Sequence, residues 1–152
     1  MNFLREVART LSQYVRGEVR IIVILIALYL IGFALLGVPL WPLWGFMAGL
    51  FHPVPFGGVI FGLLLPLFAT WLNGGDLWRI LGVTAVFVIV QTLEGFVLTP
   101  RILGARLGIG PMTVFLAALI GGALFGPLGV LFAAPVAAIA ALAWKFAKRG
   151  SP

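Results

Sequence analysis

Four charge-free runs dominate the chain, at residues 21–51, 53–75, 80–93 and 107–144. A bilayer hydrocarbon core of about 30 Å takes roughly 20 helical residues to cross. The pattern therefore predicts an all-α polytopic membrane protein with about four spanning helices. The strict polar–apolar alternation of a membrane β-barrel does not run through these segments.

Residues 1–16 place Phe3, Leu4, Val7, Leu11, Tyr14 and Val15 at helical spacing, with Arg5, Arg9, Thr10, Gln13 and Arg16 around the other side. Two readings of this stretch stay open: a basic amphipathic helix on the membrane surface, or a cytoplasmic extension of the first spanning helix. Val19–Leu36 reads as that span, ended by Gly37 and Pro39. Residues 40–51 are too short to cross, and His52-Pro53-Val54-Pro55-Phe56-Gly57-Gly58 cannot be regular helix. A bend at membrane depth is expected there, and such backbone is tolerated only in protein or beside a wet cavity. A second helix over 58–73, a tight loop Asn73-Gly74-Gly75-Asp76 and a third helix from Leu77 to about Arg101 follow. Gly108, Gly110 and Pro111 then break the chain, and 112–148 reads as a short helix, a break at Gly126-Pro127 and a last span. Broken or re-entrant segments are thus expected near 40–58 and 112–127. The organisation expected is a basic cytoplasmic segment 1–18, a transmembrane domain 19–148 and a cytoplasmic tail 149–152.

The two broken regions resemble each other as a weak internal repeat, Leu50-Phe51-His52-Pro53 against Leu124-Phe125-Gly126-Pro127. Paired Gly/Pro-interrupted apolar segments point to a transporter's pathway, which makes Pro53, Pro55, Gly58, Gly126 and Pro127 the pathway-bend candidates. The alternative is that both breaks are plain loops. Gly45/Gly49, Gly58/Gly62, Gly104/Gly108 and Gly122/Gly126 would let helices approach closely.

Composition sharpens the picture: the chain of 152 residues is 62% hydrophobic and 9% charged, against about a quarter charged in soluble domains. The net charge of +6 comes from basic residues flanking apolar runs. This is the signature of a cytoplasmic membrane flank, not of nucleic-acid binding. Basic residues at both ends favour cytoplasmic termini of an inner-membrane protein. The polar start and the long first apolar run argue against a secretory signal. All five tryptophans sit at ends of apolar segments, as an interfacial belt requires.

An enzyme is not expected. The only serines, Ser12 and Ser151, lie outside the apolar body, Asp76 is the one aspartate, and cysteine is absent. His52 is the single histidine, so no metal site can be assembled around it, and no cofactor is expected. For His52 itself the choice is between an interfacial cap and a pH-sensitive gate. What remains is one side of the third helix, where Thr84, Gln91, Glu94, Leu98 and Arg101 recur at helical intervals. Glu94 is the one acid well inside an apolar segment, and such a charge is by default functional with a named partner. Arg101 or Arg106 is the expected partner; an ion pair that only locks packing is the alternative.

Gln91-Thr92-Leu93-Glu94-Gly95-Phe96-Val97-Leu98-Thr99-Pro100-Arg101-Ile102-Leu103-Gly104, followed by Leu107-Gly108-Ile109, Pro111, Gly121–Gly129 and Ala134-Pro135, resembles the C-terminal half of the autoinducer-2 exporter family of bacterial transporters. Tyr14-Val15-Arg16-Gly17, Leu36-Gly37-Val38-Pro39 and the Pro55/Gly58 bend fit the same pattern upstream. The resemblance implies a multi-pass inner-membrane homo-oligomer that exports a small polar molecule or exchanges monovalent cations for protons. It also implies transport or coupling roles for Gln91, Glu94, Thr99 and Arg101. Family members are longer, with spans ahead of the Tyr14–Gly17 segment, and Phe56, Gly57 and Val59 depart from the family's bend. A half-length or truncated transporter is one expectation, and a non-transporting subunit packed against a full-length relative is the other.

Overall fold

A computed structural model describes residues 3–104 and 109–149. Among these residues there are helices and turns and no strand. Seven helices follow in order: α1 (Phe3–Leu36), α2 (Trp41–Leu50), α3 (Gly57–Leu72), α4 (Leu77–Leu103), α5 (Pro111–Phe125), α6 (Pro127–Leu131) and α7 (Ala133–Arg149). Helices α1 and α4 are each long and apolar enough to cross a membrane, whereas α3 and α5 are shorter apolar helices. The first helix is unbroken across residues 16–20. The chain divides into two compact units, residues 19–99 and residues 1–18 with 100–152.

In the unit of residues 19–99, α1 presents Ile21, Leu25, Tyr29 and Phe33 at every fourth position, and all four are buried. That stripe is the seam against which the other helices pack. The helix stops where Gly37 takes φ 63°, a left-handed conformation that costs glycine nothing. The chain then turns back into α2, which is about 15 Å long at 1.5 Å per residue, half of what a hydrocarbon core of about 30 Å takes. Gly45 and Gly49 allow this return, because a Cβ on Gly45 would lie 2.9 Å from Leu30 N and one on Gly49 2.6 Å from Ile26 N. Descending numbers on α1 against ascending numbers on α2 make the two antiparallel. The bend at residues 51–56 reverses the chain into α3. The expected re-entrant segment at 40–58 therefore takes the form of a helical hairpin. Thr70 is buried and donates to Pro66 O at 2.8 Å.

The loop after α3 closes with Gly74 at φ 69°. Asp76 caps α4, its Oδ1 accepting from Arg79 N at 3.1 Å. Helix α4 descends antiparallel to α1, with Gly82 against Leu36 and Gly32 against Val86. Two helices widen locally into π-turns, at Ile60–Leu64 and Glu94–Leu98. In each, the closing bond spans five residues, Leu65 N–H to Ile60 O and Thr99 N–H to Glu94 O. A proline follows at once in both, Pro66 and Pro100. Its ring collides with the carbonyl four residues back and it has no N–H to give, so the preceding turn opens to i→i+5. A third π-turn occupies Pro100–Gly104.

In the other unit, α5 ends at Gly126, whose φ 63° and ψ −145° only glycine tolerates. Pro127 starts α6 directly behind it. The hairpin so formed is tight, since a Cβ on Gly121 would stand 2.6 Å from Gly129 O. The break expected at Gly126-Pro127 is present, and a further one at Phe132 divides α6 from α7. At the start of α1, Phe3 meets Phe146 of α7 edge-on at 5.7 Å.

Candidate functional site

The polar side chains of the apolar unit converge where the α2–α3 bend meets the π-turn of α4. His52 Nε2 lies 3.5 Å from Glu94 Oε1, with side chains only 18% and 15% exposed. The same Glu94 oxygen accepts a hydrogen bond from Thr99 Oγ1. Here the π-turn is decisive: an i→i+5 turn stacks residue 99 over residue 94, where a regular helix would stack Leu98. Three residues before Glu94 on α4, Gln91 Oε1 accepts a hydrogen bond from Tyr29 OH of α1 at 3.5 Å.

Gly58 joins the two halves of the cluster. The position its Cβ would take is 4.0 Å from both Gln91 Oε1 and His52 Nδ1. One turn on, the Cβ position of Gly62 is 2.9 Å from Tyr29 OH. The glycine face of α3 thus leaves room for three polar side chains from three other elements. Stacked Phe51 and Phe61, 4.9 Å apart, hold the two arms of the hairpin beside the bend. No group of three or more metal-ligating residues occurs among the described residues. The arrangement can carry a proton on carboxylate or imidazole, and it offers hydroxyl and amide oxygens to a polar solute.

Of the residues singled out by sequence, Gln91, Glu94 and Thr99 come together here. Arg101 does not join them: it is exposed, and the partners of Glu94 are His52 and Thr99. The expected pairing assumed 3.6 residues per turn, and the π-turns at 94–98 and 100–104 rotate Arg101 off the Glu94 face. Arg106 lies outside the described residues. Pro53 and Pro55 shape the bend and Gly58 faces the cluster; Gly126 and Pro127 form the break in the other unit. Tyr29 was missed, although it is the only side chain with a polar atom between Arg20 and Gly37.

The sequence model of the AI-2E family of transporters matches residues 1–149. YhhT of Escherichia coli strain K12, a protein named for transport, is 34% identical over 121 residues, covering 80% of this chain and 34% of that protein. YrrI of Bacillus subtilis strain 168, likewise named for transport, is 31% identical over 137 residues, covering 90% of this chain and 38% of its own length. The AI-2 transport protein TqsA of Escherichia coli strain K12 is 30% identical over 100 residues, 66% of this chain and 29% of TqsA. The chain spans about a third of the length of these curated relatives, less than the half that the resemblance implies. No solved structure matches the chain.

Proposed function

The chain belongs to the AI-2E family of transporters, and we propose that it forms the coupling centre of a multi-pass inner-membrane transporter. Its cargo in this reading is a small polar molecule that is exported, or a monovalent cation exchanged for protons. The observation that supports it is the His52–Glu94–Thr99 constellation, formed where the bend of the α2–α3 hairpin meets α4, a helix long and apolar enough to cross a membrane. A carboxylate there is kept only if something stabilises it, and a pair that changes charge with one proton is suited to coupling. Tyr29, Gln91 and the open face at Gly58 supply the hydrogen-bonding surface. Basic residues at both ends of the chain support cytoplasmic termini, and the family resemblance supports a homo-oligomer.

Proteoliposomes holding the chain, loaded with a pH-sensitive dye and given an inward sodium or potassium gradient, test the reading. Cation-driven proton movement is expected, together with its loss in Glu94→Gln at unchanged protein content. Normal flux in that variant at every pH from 5.5 to 8.5 overturns it. The second reading is a subunit that does not transport by itself and packs against a full-length relative. It is favoured if the chain alone moves nothing and co-purifies with a longer family member.

A further inference from the structure

We propose that the first half of α1 carries a binding surface for anionic phospholipid headgroups. At 100° per residue around a helix, Arg5, Arg9 and Arg16 fall within an arc of about 40°, and Arg20 continues the same arc one turn on. All of them are exposed. Beside that arc, on one flank, stand Leu4, Leu11 and Val15, exposed by 78%, 39% and 56%. The remaining side packs on protein: a Cβ on Gly17 would lie 2.6 Å from Leu103 Cδ2. Glu6 and Glu18 are half-buried and sit off the arginine arc.

This helix therefore has three faces, one sealed by protein, one apolar and open, one basic and open. Open Val15 and Leu11 beside guanidinium groups suit the lipid–water boundary, where apolar side chains enter the interface and the basic face meets phosphate. Each guanidinium offers a positive charge and N–H donors to phosphate oxygens. The apolar run Val19–Leu36 is about 27 Å long at 1.5 Å per residue, close to the hydrocarbon thickness of about 30 Å. Arg16 thus stands at headgroup level. Arg9 and Arg5 lie roughly 10 and 16 Å further along the axis, within reach through helix tilt and their long side chains. A gradient follows, with Arg16 contributing most and Arg5 least.

Native mass spectrometry of the intact chain in mild detergent, titrated with dioleoylphosphatidylglycerol or dioleoylphosphatidylcholine, reads the preference directly. Phosphatidylglycerol should bind more tightly than phosphatidylcholine, and the ratio should fall about fivefold in Arg16→Gln but less than twofold in Arg5→Gln. Free glycerol 1-phosphate at equal concentration should not displace the lipid. On the unaltered protein, the preference should shrink as ammonium acetate is raised from 50 to 500 mM, because exposed charges are screened. Equal affinity for the two lipids overturns the proposal. So does a salt-independent preference, or displacement by free glycerol phosphate, which would mark a soluble-anion site instead. Loss of the preference in Arg16→Gln counts only if Arg16→Lys, which keeps the charge, restores most of it; if it does not, a charge-driven headgroup contact is refuted.

Discussion

The contact between His52 and Glu94 holds the hairpin bend to α4, and a double-mutant cycle on His52→Gln and Glu94→Gln measures what it contributes. At 3.5 Å and an effective dielectric constant of about 20, two full charges attract by about 5 kcal/mol. Most of this is offset by lost hydration and side-chain ordering, since the pair is largely shielded from solvent. A net coupling of about 1–2 kcal/mol is expected. Glutamine at 94 keeps a carbonyl oxygen that can accept from Thr99 Oγ1, so the hydrogen bond survives the substitution and the cycle isolates the ionic part.

Thermal unfolding in detergent is the assay. For a chain of this size each kcal/mol moves the midpoint by about 2–4 °C. The four proteins of the cycle should thus deviate from additivity by about 2–8 °C. Additivity would refute the contact.

Two further predictions concern the backbone. In Gly49→Ala the new methyl meets the Ile26 backbone at 2.6 Å, which cannot yield as a side-chain tip would. A loss of about 1–3 kcal/mol is expected by urea or thermal unfolding, with the α2 hairpin arm the first segment to gain hydrogen exchange. Gly37 and Gly95 both have open space where a Cβ would go, but Gly37 sits at φ 63° and Gly95 lies within α4. Gly37→Ala should therefore destabilise by about 1–2 kcal/mol, whereas Gly95→Ala should stabilise by about 0.5–1 kcal/mol; the same sign for both would contradict the backbone argument.

The helix ends and the bend were legible because single residues dictate them. Gly37, Pro53, Pro55 and Gly126 each remove an option that a continuing helix needs. Glu94 was legible as well, since one acid in an apolar segment stands out in any reading. Its partners were not, for two reasons. The Glu94–Arg101 pairing was drawn with α-helical spacing, and the signal that this spacing fails, a proline directly after Leu65 and after Thr99, is visible only once prolines within spans are read as openers of the preceding turn. The His52 contact spans 42 positions, a separation no periodicity reports. It is set by how far α2 and the bend reach before the chain returns, and the glycines at 45 and 49 fix that reach through their contact with Leu30 and Ile26.

The same elements explain how an acid survives at this depth. An acidic side chain at the centre of a lone spanning helix costs about 2.5–3.5 kcal/mol on insertion scales. The π-turn brings Thr99 Oγ1 onto the carboxylate, and a hydrogen bond to a charged group returns about 1.5–3 kcal/mol. The hairpin delivers His52 to the same oxygen. Glycine at 58 and 62 keeps the facing helix free of side chains, so that Tyr29 and Gln91 can complete the polar lining without opening a void. Remove the π-turn and Leu98 would stack where the hydroxyl stands; remove the bend and the imidazole would be carried out of reach. The proline-opened turn and the re-entrant hairpin are therefore two halves of one solution, each needed for the carboxylate to be tolerated among apolar helices.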